Sequence, residues 1–388
     1  MIHTERIVAV YRGWHSFERV HEGPQIIDFD LTDMNNADSF ESREEVLAAL
    51  TNLAEQLDIS THEGEFLRAK LKGSIAYLRA LLGQPIPFDE YIKETLGIYI
   101  IPFSDRELLD ARNRVEELLS EYGVQLASEY KEDFETKLTI SDPEQIKRGI
   151  TDHQEFWLAQ LRDYGVPTPN RFLFKVEFVK VDAYWSNWIS GSVAEGITLR
   201  INIHPRKKYE IGRPLMLCLH EICGHALQMT LWKDLIAQGV MNPACGLTTV
   251  HTPEALVCEG LGQTVADFLD DEADFPREFW LSRRLQYYTL MVLHNAHLMI
   301  YESAPIEDIL QYARTRLPFT PSAVIEAEIR DRTTDPLYRT YQLTYAAGER
   351  MISALARDLT SKQKRLLLSH LYSIPMTPQQ LTQLARNI

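Results

Sequence analysis

A chain of 388 residues, 45% hydrophobic and 24% charged, has the length and balance of a globular protein with a large buried core. Its 55 acidic residues outnumber 40 basic ones, for a net charge of −15. That excess argues against nucleic acid and against an anionic membrane surface as partners, because both call for a basic face.

No N-terminal segment combines a basic start, an apolar stretch and a small-residue cleavage site. The most apolar windows are too short to span a bilayer. The cysteines Cys218, Cys223, Cys245 and Cys258 form no CxxC pair. These features predict a reduced, cytoplasmic protein.

From Ser42 to Leu57 the apolar residues Val46, Leu47, Leu50, Leu53 and Ala54 recur at three and four, which predicts an amphipathic helix. The same period predicts helices over Gly64–Leu82, Asp105–Tyr122, Asp142–Tyr164 and most of the chain after Ile211. Gly83-Gln84-Pro85, Gly165-Val166-Pro167 and the stretch from Pro318 to Pro321 punctuate them. Phe172–Val181 and Gly196–His204 alternate apolar and polar residues, the period of half-buried strands. Between them, Trp185 to Gly196 reads as a connection. The expected fold is mainly α, with a small antiparallel sheet beside the next helix. Residues 1–165 form a helical N-terminal half and 166–388 a catalytic half, in one compact unit.

That next helix carries the chemistry. His220-Glu221-Ile222-Cys223-Gly224-His225 lies inside the apolar run from Leu215 to Met229. Apolar residues on every side predict a helix buried in the core. Two histidines and a glutamate are costly there unless they pair or bind a metal. The spacing is HExxxH, and in a regular helix residues five apart diverge by roughly 140°. One extra residue looped out as a π-bulge would bring His220 and His225 to one face, and Gly224 tolerates such a distortion.

Two imidazoles leave a zinc ion short of a third protein ligand, for which catalytic sites often use Glu. Thr252 as N-cap and Pro253 at the first helical position predict a new helix. It carries Glu259 between Cys258 and Gly260, with Gly262 two residues on. Small neighbours would let this helix pack close to the motif, which favours Glu259 as ligand. Glu254 is the rival, although its place in the first turn is explained by the helix dipole alone. Glu221 is the expected general base. The strand Gly196–His204 is expected to hold an extended substrate by edge pairing. His251 is a candidate for the cleft or, equally, for a loop or capping role, whereas the pair His294 and His297 and the arginines Arg200, Arg206 and Arg213 are cleft candidates for which core and surface roles are the better reading. Cys223 and Cys258 read as small apolar core residues rather than thiolate ligands.

HEICGH resembles the HExxGH motif of dipeptidyl peptidase III and the HExxTH motif of tubulin tyrosine carboxypeptidases. The wider pattern is more similar to a bacterial domain-of-unknown-function family of predicted helical zinc peptidases, which reads HEAxPGHHxQ, then EGWAxY, then Y-xx-G. Here the matching stretches are HEICGHALQ, Glu259-Gly260-Leu261-Gly262 and Tyr345-Ala346-Ala347-Gly348, and the segment Pro87-Phe88-Asp89-Glu90-Tyr91 also looks similar. The chain departs in lacking the Pro, in being one residue shorter between its histidines, and in Leu261 and Gly262 in place of Trp and Ala.

The resemblance implies a helical gluzincin-like fold around a cleft, with Tyr345 a candidate oxyanion or substrate donor. The expectation is a zinc metallopeptidase of carboxypeptidase or oligopeptidase type, acting on a peptide or small amide. The alternatives are a zinc amidohydrolase or biosynthetic enzyme on a non-peptide carbonyl, and a binding protein on the same scaffold.

Overall fold

A computed structural model of the chain describes residues 2–388 apart from 170, 171, 173, 183–185, 205, 206 and 270–274, with the backbone alone at residue 2. Helices dominate, and the predicted ones form close to their expected bounds. Ser42 caps the helix Arg43–Gln56 through the Glu45 amide, and Ser104 and Glu107 close a capping box on Asp105–Ser120. The stretch predicted as one helix from Asp142 is two, Pro143–Thr151 and Gln154–Tyr164. Gly165 then ends the second in the left-handed conformation, at φ 102.

The sheet differs from expectation. Its strands are β1 (Phe29–Asp30), β3 (Phe174–Val179), β4 (Asn187–Ser192), β5 (Gly196–Asn202) and β7 (Leu247–Thr248), while β2 (Thr139–Ile140) and β6 (Tyr209–Glu210) pair separately. The main sheet has the order β3-β5-β4-β1-β7 and is mixed, not antiparallel. The stretch read as a connection contains β4, which hairpins onto β5. That returns the chain so that β5 runs parallel to β3. β1, from the far N-terminal region, joins parallel to β4 and antiparallel to β7.

Two cores flank the motif. One gathers Leu119, Leu161, Ile222, Val265 and Val292 from helices of both predicted halves. The other joins Tyr11, Trp14, Leu50 and Leu71 of the first helices to Ala226, Met229 and Trp232. The motif segment is therefore buried on both sides, as its apolar surroundings predict. Among the described residues no helix is long and apolar enough to cross a membrane.

Candidate metal centre

Cys218–Ala226 is a π-helix, set between the α-helices Arg213–Leu217 and Leu227–Ala237. The Leu227 amide reaches back to the Ile222 carbonyl, five residues away, and this wider winding turns His220 and His225 to one side. Their rings meet edge to face with centroids 4.8 Å apart.

Glu259 arrives from the helix Glu254–Phe268. Glycines set how closely that helix packs. A Cβ on Gly262 would stand 2.8 Å from the His220 ring, and one on Gly224 3.1 Å from the Gly262 Cα. On the other side Gly260 abuts Gly348 of the helix Leu343–Ala356, where a Cβ would meet backbone at 2.8 Å. The small residues thus fit Glu259 between two partners. Pro253 occupies the N-cap position rather than the first turn, and the Thr252 hydroxyl bonds to Thr249 instead of capping the helix.

The donor atoms form a compact triangle. His220 Nε2 and His225 Nε2 lie 3.2 Å apart. Glu259 Oε2 is 3.3 Å from the first and 3.5 Å from the second. A tetrahedral zinc ion with bonds of about 2.0–2.1 Å has ligand-to-ligand edges of about 3.4 Å, so the three atoms match one face of that polyhedron. Glu259 Oε2 is buried and accepts no well-aligned hydrogen bond. Two imidazole nitrogens and a carboxylate oxygen are a donor set suited to zinc. The residues present fit the ion.

Burial alone would raise the Glu259 carboxyl, but His225 and His220 hold it far below the usual carboxylate range. Burial would likewise lower His225, and Glu259 and Glu221 instead keep it above its ordinary value.

Further residues complete the wall of a cavity of about 460 Å³ beside the triangle. Glu221 Oε1 accepts a hydrogen bond from the Asn187 amide at the start of β4. Tyr341 donates to Glu259 Oε1 at 2.8 Å, and Tyr345 donates to Tyr341 at 3.0 Å. Tyr345 is thus brought to the cavity, one hydroxyl removed from Glu259. Asn187 and Tyr341 were missed by sequence reasoning. Only the four-residue spacing of Tyr341 and Tyr345 on one helical face was a signal.

Glu254 is not a fourth member, because it pairs with the buried Lys70. His251 stacks on Tyr77 and bonds Ser74 in the core. His294 bonds the Ile101 carbonyl and His297 lies against Phe88, both away from the cavity. Cys223 is buried against Cys218, whose hydrogen bond, with burial, pushes its thiol up. Burial does the same at Cys258, so neither thiol is a thiolate. Arg200 lines the cavity and bonds Ser190, whereas Arg213 does not reach it. Arg206 lies outside the described residues. β5 is paired on both sides, so the expected substrate edge on Gly196–His204 is closed.

No protein-family model matches the sequence, and no curated protein matches it. Solved structures do. A candidate lipoprotein from Colwellia psychrerythraea superposes with a TM-score of 0.60 at 16% identity, covering 89% of this chain and 67% of that one. A candidate lipoprotein of unknown function from Shewanella oneidensis gives 0.50 at 12% identity, covering 88% and 72%. At such identities the likeness is one of fold. It overturns the expectation of a cytoplasmic protein, since proteins sharing this fold are described as lipoproteins. The earlier reasons were absences, of a leader and of paired cysteines, and neither absence fixes a compartment.

Proposed function

We propose that the chain is a zinc-dependent hydrolase of gluzincin-like fold that cuts peptide bonds, with His220, His225 and Glu259 as metal ligands. The observation that carries the reading is the triangle of three donor atoms at the edge lengths of a zinc tetrahedron, with Glu221 beside it. A zinc ion there would supply a Lewis acid and a water acidic enough to lose a proton near neutral pH.

The chain's own residues do the rest. Glu221 is the general base, taking a proton from the attacking water and returning it to the leaving amine. Asn187 donates to Oε1 of that carboxylate, the oxygen that lies 3.8 Å from His220 Nε2, and so fixes the base beside the triangle. Tyr341 orients Glu259 through its second oxygen, as outer partners of ligating carboxylates do. Tyr345 is the candidate donor to the developing oxyanion.

Peptide is favoured over other carbonyl substrates by the edge of β4. The Asn202 amide donates to the Ser186 carbonyl, so Trp188 and Ser190 also bond to β5 and Asn187 and Ile189 direct their backbone groups the other way. β1 covers that outer edge only from Gly191 on. Asn187 and Ile189 line the cavity, and an extended peptide can add there as a strand.

Two measurements test the reading. Metal analysis of purified protein is expected to give about one zinc per chain, lost in His225→Ala. Glu221→Gln is expected to keep the zinc while peptide hydrolysis falls by about 10²–10⁴-fold. A Glu221→Gln variant as active as wild type would remove this residue from the mechanism.

A further inference from the structure

The π-helix hands over to an α-helix, and the change leaves one backbone group over. Up to Ala226 the winding is that of a π-helix, with hydrogen bonds five residues long; from Leu227 it is α-helical, with bonds of four. At the junction the Leu227 amide is shared between the Ile222 and Gly224 carbonyls and passes over Cys223 between them. Cys223 is fully buried, and a buried carbonyl without a partner is costly.

Its partner comes from 149 positions further along the chain. Tyr372, fully buried in the helix Ser361–Ser373, donates its hydroxyl to the Cys223 carbonyl at 2.6 Å. The exchange is reciprocal. Pro375 has no N–H to offer the Leu371 carbonyl four residues before it, so that carbonyl is left over at the helix end. The Gln228 side-chain amide donates to it at 2.8 Å, and the Trp232 ring nitrogen donates to the Tyr372 carbonyl at 3.1 Å. Buried bonds in both directions thus clasp the junction to one remote helix. Gln228, which closes the HEICGHALQ stretch, works here and does not line the cavity.

Of these bonds, the one from the Tyr372 hydroxyl bears on the winding. The Cys223 carbonyl lies four residues before Leu227, which makes it the acceptor that a regular α-helix would give the Leu227 amide. With that carbonyl already engaged, the amide goes to Ile222 and the extra residue stays looped out. Without the hydroxyl, a bond from Leu227 to Cys223 both satisfies the carbonyl and regularises the helix. His220 and His225 would then diverge by roughly 140° and lose their common face.

We infer that Tyr372 is a positioning residue for the metal centre: its hydroxyl withholds the Cys223 carbonyl from the helix ladder and so fixes the π-winding that sets His220 beside His225. It does not line the cavity, and it acts through the winding alone. The inference rests on the metal-ligand reading for its consequence, while the winding can be observed without any metal.

The test sets Tyr372→Phe, which keeps the ring and loses the donor, beside wild type. Zinc affinity, read by competition with a chelating dye, is expected to fall by about 10–100-fold. A crystal structure of the metal-free variant is expected to show an α-helical junction, with the two Nε2 atoms well beyond their present 3.2 Å. 4-Aminophenylalanine at position 372 returns an N–H donor to the same place and is expected to restore the affinity. Gln228→Met, which takes a bond from the clasp but leaves the hydroxyl, is expected to lower stability in urea while zinc affinity stays near wild type. Zinc held as tightly by Tyr372→Phe as by wild type, or weakened equally by Gln228→Met, overturns the inference and leaves the metal centre standing. Wild-type protein that takes up no zinc, with the junction still rewound in metal-free Tyr372→Phe, would instead remove the metal and keep the part Tyr372 plays in the winding.

Discussion

Glu259 and Tyr341 show how much depends on single atoms in this centre. Oε2 of the glutamate faces both imidazoles while Oε1 accepts the tyrosine hydroxyl. Removing that hydroxyl frees the carboxylate to rotate, so Tyr341→Phe is expected to weaken zinc binding by about 10–100-fold. Competition with a chromophoric chelator measures it, and unchanged affinity would make Tyr341 a packing residue.

Asp28 gives a pH signature of the opposite kind. Burial raises its carboxyl from 3.8 to about 7, with Lys70 opposing and Glu259 adding to the rise. The folded protein then holds a proton that the unfolded chain has lost, so this group's contribution to stability falls as pH climbs from 3.8 towards 7. Asn mimics the protonated form. Urea unfolding at a fixed metal state is therefore expected to show Asp28→Asn gaining on wild type between pH 5 and pH 8. A gap independent of pH would mean that Asp28 does not titrate in this window.

At the scale of elements, the centre depends on the contact between the π-helix and the helix Glu254–Phe268. The divergence of about 140° over five residues in a regular helix made HExxxH demand a distortion, and the segment Cys218–Ala226 supplies it. Gly262 keeps the two helices at the distance the triangle needs. A methyl group there would stand 2.8 Å from the His220 ring, which has nowhere to shift without leaving His225. Gly262→Ala is expected to abolish zinc binding while costing about 1–3 kcal/mol of stability. A variant that still takes up one zinc ion with native affinity would show that the ring adjusts.

Across the whole molecule, the wall of the cavity depends on residues remote in sequence. Lys70 reaches Glu254 across 184 positions of the chain, and both are buried. Losing one member of a buried ion pair leaves the other charged and desolvated. Lys70→Met is thus expected to cost about 3–5 kcal/mol in denaturant unfolding. Lys70→Met together with Glu254→Gln should recover much of that loss, and a double variant no better than the single one would deny the pairing its role.

The meeting of the two histidines was legible because their spacing is a local property: five residues in a buried helix either diverge or wind as a π-helix. The smallness of Gly260 and Gly262 beside Glu259 was legible for the same reason, since a close helix crossing has to be prepared where it occurs. The mixed sheet was not legible. β4 has too little alternation to show itself between two better strands, and β1 is a two-residue strand whose partner lies 162 residues further on. Its position follows from the core that gathers Phe29 with the first helix, Met229 and Trp232, which no short window contains. Glu254 and Glu259 were separable only in three dimensions, where a lysine from another helix engages the first and two imidazoles face the second. Local spacing determined which residues can meet a metal. Long-range packing decided which carboxylate stands beside the two imidazoles and what steadies it.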